Sequence, residues 1–340
     1  MIGDDRSCAI LNSVRAKGVK DMFKKITKLV ATSVAALLVG AGGLKTVAAE
    51  GTIDTSVVDE AWGQPTYVYG GGLSEQQINE TADLLEIDSR ENVAETAALG
   101  EDLQTYLNSG VGSTSSMISS VLVQRSGEDS GVNVNIVTPE NITRITEEQY
   151  MNAAITAGVE DANIMVAAIR PVTGESALTG VYKAFDVNGE DLESDRMEVA
   201  QEELETTNQI SQDLSEEDSA KLNQAIAEIK RDLAELKEQV DGLATREDIE
   251  QIINEALERH NLESLITQEQ IDRLISLFEN YQQTSAIDSE QVLEQLNNFT
   301  DDLRDRFGDV VQSAEDSGLL DSIANFFREL WNTLVGLLNN

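Results

Sequence analysis

Residues 150–185 read YMNAAITAGVEDANIMVAAIRPVTGESALTGVYKAF, and this stretch decides the fold. Tyr150, Ala153, Ala154 and Ala157 recur at helical spacing, and Gly158 stands where a helix ends in left-handed backbone. Residues 164–169, IMVAAI, form an unbroken apolar run, the pattern of an interior strand covered on both faces. Pro171 ends it. Ala177, Val181, Ala184 and Phe185 then share one helical face, with Gly180 allowing close approach to a sheet and Thr173 or Ser176 as the expected cap.

Working outward, residues 116–125 read as a strand with Met117, Val121 and Val123 on one face. Residues 127–131 suit a five-residue hairpin connection, and Val132, Val134 and Ile136 alternate with Asn133 and Asn135 in a half-buried strand. A short strand at 67–69 precedes the Gly70-Gly71-Gly72 break. Helix starts are marked by capping boxes at Ser74–Gln77, Thr146–Gln149, Thr267–Gln270 and Asp288–Gln291. The expected class is α+β: a small mixed β-sheet with flanking helices, followed by a mainly α-helical C-terminal half. The strand–helix–strand crossover is right-handed if its strands are parallel neighbours.

In the helical half, Leu222, Ile226, Ile229, Leu233, Leu236, Val240 and Leu243 recur at alternating intervals of four and three, a short heptad seam. Asp232 and Lys237 sit where a parallel partner would pair with them. A homo-oligomer and an intramolecular helical hairpin both use this stripe, with the hairpin the first choice. Further helices are expected over 246–260, 268–281 and 289–307. Residues 319–338 carry a broad apolar face for packing on protein or for membrane contact; its polar side offers Asp321, Arg328 and Glu329 rather than a basic row.

Composition bounds the function. The chain has 24 basic and 62 acidic residues, a formal charge of −38. Residues 1–49 hold eight basic and three acidic residues, leaving 16 basic against 59 acidic beyond them. This excludes nucleic acid as a partner, since phosphate binding needs clustered Lys and Arg. It also suits a protein adapted to salt, whose carboxylates repel one another in dilute buffer. Met22 opens a second start: Lys24, Lys25 and Lys28 precede an apolar core at 29–40, and Val47-Ala48-Ala49 fits a leader-peptide cleavage site after Ala49. The expected organisation is a leader at 1–49, an α+β domain at 50–190, a helical region at 191–310 with the seam at 222–243, and a C-terminal amphipathic helix at 311–340.

Catalytic constellations are scarce. Cys8 and His260 are the only cysteine and histidine, so no disulfide framework, zinc site or Cys/His dyad can form beyond residue 49. Gly70–Gly72 lacks the Lys and Ser/Thr of a phosphate loop. Gly174-Glu175-Ser176-Ala177-Leu178 departs from a nucleophile elbow at Leu178. Residues 186–191, DVNGED, resemble part of a calcium loop, but the glycine comes too early and the closing carboxylate does not fit, so no cofactor is expected and Ca²⁺ is the weakest candidate. Gly174, Ser176, Thr179 and Gly180 remain as candidate ligand contacts.

The runs 152–159 (NAAITAGV), Asp161-Ala162 and 174–184 (GESALTGVYKA) resemble the YpuA-like secreted proteins of Firmicutes, the domain-of-unknown-function family 1002. The resemblance reaches back to residues 72–76 and forward to 252–254 and 267–271. It implies an exported, envelope-associated protein and supplies no family site residues. The expected function is non-enzymatic binding or assembly with a protein or envelope component. The alternatives are a carboxylate-dependent hydrolase of wall polymer and a membrane-surface protein held by 319–338.

Overall fold

The computed structural model describes residues 53, 55, 62–108, 111–128, 130–240 and 242–307. The leader at 1–49 and the apolar stretch at 319–338 lie outside them. Five strands make one sheet: β1 (Thr66–Gly70), β2 (Ala94–Ala98), β3 (Ser120–Arg125), β4 (Val132–Ile136) and β5 (Ala162–Ala167). Helices α1 (Glu75–Leu84) and α2 (Asp102–Leu107) fall between the early strands, and α3 (Glu147–Ala157) joins β4 to β5. There follow α4 (Ser176–Val187), α5 (Ser194–Ser211), α6 (Glu216–Val240), α7 (Arg246–Arg259), α8 (Gln268–Tyr281) and α9 (Glu290–Phe307).

The sheet order is β2-β1-β3-β5-β4, which overturns the expected hairpin. β3 pairs antiparallel with β5, and β4 pairs parallel with the other side of β5. Chemistry sorts the strands: β5 is apolar on both faces and takes an interior place, while β4 exposes Asn133 and takes an edge. A five-residue connection reaches roughly 16 Å, enough to step over one strand at about 5 Å spacing. β4 and β5 are thus parallel neighbours joined through α3. β2, the Ala-rich AETAA, gave no strand signal and owes its place to pairing along β1.

Three of the four capping boxes form. Gln149 Oε1 accepts the Thr146 N–H at 3.0 Å, Gln270 Oε1 accepts that of Thr267 at 2.8 Å, and Gln77 Oε1 accepts that of Ser74 at 2.9 Å. The fourth does not. α9 starts one residue later, with Ser289 Oγ accepting the Val292 N–H at 3.3 Å, and Asp288 instead pairs with Lys237 at 2.6 Å. Neither Thr173 nor Ser176 caps α4: Thr173 Oγ1 donates to Glu175, and the Ala177 N–H reaches the Gly174 carbonyl. Gly180 packs as expected, since a Cβ there would lie 3.0 Å from Val121.

One sheet face packs on α3, α4 and α5, burying Val68, Val121, Ile164, Ala154, Val181 and Leu204. The other is covered by α1, with Tyr67, Leu122 and Met165 against Ile78 and Ala82. The apolar interior does not stop at residue 190, because Met197 of α5 and Leu296 and Phe299 of α9 join the cluster under the sheet. The heptad stripe is covered within the chain. Leu222, Ile226, Ile229, Leu233 and Leu236 are buried among Ile253 and Leu257 of α7 and Leu274 and Phe278 of α8. Val240 is half-buried, and Leu243, beyond the helix, is exposed. Asp232 pairs with Arg259 at 2.8 Å, so both seam charges have partners on the same chain.

Candidate functional site

A cavity of about 630 Å³ opens between residues 136–148 and the junction of α5 with α6. Its walls mix Ile142, Ile145 and Leu214 with Ser211 and Ser219, and Arg144 and Glu216 also line it. Two side chains in it stand out. Asn208, at the end of α5, is 2% exposed, and Asn223, in α6, is 1% exposed. Each carries an amide oxygen with no hydrogen-bond partner. A buried acceptor left unpaired costs about 1–3 kcal/mol, and most buried polar groups in folded proteins avoid it. Two such oxygens, on residues that line one cavity, would gain the partners they lack from a ligand bearing N–H or O–H donors once the amides turn toward it. The volume falls in the range of small-molecule sites.

Behind Asn223 lies a buried polar cluster. The Asn223 backbone carbonyl accepts from Asn152 Nδ2 at 3.0 Å, and Asn152 in turn binds Lys230. Lys230 is wholly buried, with Nζ 2.9 Å from Asn152 Oδ1, 3.1 Å from Thr156 Oγ1 and 3.0 Å from Glu203 Oε1. Thr156 donates to the other Glu203 oxygen at 2.7 Å. Burial pushes the Lys230 ammonium below its ordinary value, and the Glu203 charge opposes that shift. The cluster ties α3, α5 and α6 together and sets the position of the cavity wall.

A second buried group sits where α6 meets α7. Arg259 reaches Glu228 at 3.1 Å and Asp232 at 2.8 Å. His260 is fully buried, with Nε2 3.2 Å from Glu228 Oε1, close enough for attraction but not aligned as a hydrogen bond. Burial pushes the Glu228 carboxyl up, but His260, Arg259 and Arg231 together outweigh it and hold it below its ordinary value. Asp232 is raised, burial outweighing Arg259 and Arg231, and Glu235 is raised by burial and by Asp232. A carboxyl raised in the folded state gives stability as it takes up its proton. Stability therefore rises as pH falls from neutrality through these raised values, and levels off in the ordinary carboxyl range, where the unfolded chain protonates too. The Glu228 contribution is lost only at still lower pH. In dilute buffer the urea midpoint is expected to be higher at pH 5.5 than at pH 8; the opposite order contradicts this account.

The sequence-derived contacts divide. Gly174 and Ser176 line a second hollow of about 510 Å³, with Met117, Val172, Glu198 and Glu202. Thr179 is buried in α4, and Gly180 faces Val121, so these two lie in the packing rather than in the hollow. The two hollows follow one another along α5, and the Asn208 amide nitrogen stands 3.5 Å from Glu175 Oε1 between them. In the 186–191 segment, Asp186 accepts from Tyr106 at 2.7 Å, Asn188 donates to Thr66 at 2.8 Å, and Glu190 pairs with Arg125 at 3.0 Å. These bonds diverge. Asn208, Asn223, Lys230 and Glu203 escaped the sequence reading. One signal was present: Asn223, Ala227, Lys230 and Ala234 form a second stripe on α6 beside the apolar seam.

The family model described as protein of unknown function (DUF1002) matches residues 69–299. The chain belongs to this family. It is also 32% identical over 289 residues to the uncharacterized protein YpuA of Bacillus subtilis (strain 168), covering 83% of this chain and 92% of that protein. No solved structure matches it significantly. The matched span contains both hollows and the Lys230 cluster, so the cavity walls belong to the part of the chain that is similar to the family.

Proposed function

We propose that this chain is an exported, acidic envelope protein that acts by binding, holding a hydroxyl- or amide-rich ligand such as a unit of wall polymer against Asn208 and Asn223. The observation that carries this is the pair of buried amide oxygens without partners, on two residues that line the 630 Å³ cavity. The leader-like segment at 22–49 supports export, and the formal charge of −38 suits a protein kept soluble at a charged surface. Catalysis finds less support, because the only histidine is buried and lines neither hollow, and the serines that donate to a carboxylate, Ser215 to Asp218 and Ser285 to Glu193, line neither hollow either.

The test is calorimetric titration of the purified protein with a peptidoglycan disaccharide–peptide, with the product mixture analysed for cleavage. Saturable binding without cleavage is expected. Asn208→Leu/Asn223→Leu is expected to abolish that binding while stabilising the empty protein, by roughly 1–3 kcal/mol for each unpaired oxygen removed. No binding by the native protein, or binding unchanged in the double variant, would refute the proposal. Released fragments would replace it with hydrolysis.

A further inference from the structure

We infer that a separate cleft, formed by α9 and the end of the sheet, binds a primary ammonium group. This cleft of about 330 Å³ is lined by Glu128, Glu160, Asp161, Glu294, Gln295 and Arg125. Carboxylates alone would mean little on so acidic a surface. The second observation is Gln295, 8% exposed, which donates through Nε2 to the Val159 carbonyl at 3.2 Å and leaves its Oε1 without a partner. A buried neutral acceptor on a residue of a carboxylate-lined cleft asks for a cationic donor.

Arg125 does not fill this role. Its Nε is held by Glu190 at 3.0 Å, another of its nitrogens binds the Glu160 carbonyl oxygen, and its guanidinium carbon stands 5.7 Å over the Phe185 ring. Asp161, in left-handed backbone at φ 44, is oriented by the Gly131 N–H, 2.9 Å from Oδ1. Burial, aided by Asp161 and Glu190, pushes the Glu160 carboxyl above its ordinary value despite Arg125 and Arg196.

The acceptors select the kind of cation. Among the described residues no three Asp, Glu, His or Cys side chains converge closely enough to hold a metal ion. A bare divalent cation needs six or more oxygens at about 2.3–2.6 Å, whereas an ammonium makes hydrogen bonds of about 2.8 Å to acceptors spread around it. A guanidinium prefers a coplanar, two-point carboxylate partner; one buried neutral acceptor with separate carboxylates along the same cleft suits a compact charge with three donors. The group would come from a lysine side chain of a partner or from a free diamine.

Calorimetric titration of the purified protein with cadaverine, and in parallel with an acetylated and amidated Ala-Lys-Ala peptide, tests this. One-site binding is expected, and whichever probe binds more tightly identifies the source. Glu128→Gln/Glu294→Gln changes two exposed side chains and is expected to weaken binding about tenfold or more. Gln295→Leu is expected to do the same. The control, Glu247→Gln/Glu263→Gln, removes two exposed carboxylates elsewhere and should leave affinity unchanged. Absence of binding at millimolar probe, equal weakening by the control, or displacement of the probe by equimolar calcium would overturn the inference.

Discussion

Lys230→Met is expected to cost about 3–5 kcal/mol of unfolding free energy. The ammonium is wholly enclosed, and its partner Glu203 is 2% exposed. Removing the lysine leaves a carboxylate with no water to solvate it and only the Thr156 hydroxyl, at 2.7 Å, to stabilise it. The penalty belongs to the stranded charge more than to the lost attraction. Lys230→Met/Glu203→Leu, which removes both charges and keeps comparable volume, is therefore expected to recover most of it. Urea unfolding midpoints for the two variants decide the matter. A single variant costing under about 1 kcal/mol, or a double variant no more stable than the single, would contradict this.

Salt is expected to stabilise this protein strongly. Raising ionic strength from about 0.01 M to about 1 M shortens the screening length from roughly 30 Å to roughly 3 Å. With 59 carboxylates against 16 basic groups beyond residue 49, most charge pairs on this surface repel. The bases are already shared: Arg90 serves both Glu75 and Glu95, and Lys221 serves both Glu217 and Asp218. Relief of the remaining repulsion should raise Tm by on the order of 10 °C. The Lys230–Glu203 pair is shielded from ions, so the Lys230→Met penalty should stay nearly constant across the same range. A Tm that is flat or falling between dilute buffer and molar salt would remove salt adaptation from the account. Differential scanning calorimetry measures both.

Where the sequence reading went astray, pairing partners were the cause. The connection at 127–131 has the length and composition of a hairpin, and nothing in it announces that β5 will insert between β3 and β4. That order follows from burial competition among strands, which is decided only when all five are present. Asp288 has the spacing of a cap, yet in the folded chain it pairs with Lys237, 51 residues away in sequence. The unbroken run at 164–169 was legible because its own side chains announce cover on both faces.

The sequence alone settled what depends on neighbours a few residues apart: most of the helices and three of their capping boxes, the interior strand, the amphipathic stripe on α6 and the excess of negative charge. Only the tertiary structure decided that this stripe is covered by α7 and α8, that Lys230 finds Glu203 inside the protein, and that Asn208 and Asn223, each with an unpaired oxygen, line one cavity. Local periodicity says which face of a helix is buried. It does not say by what, because a buried polar group is satisfied or orphaned by residues that the chain brings beside it only on folding.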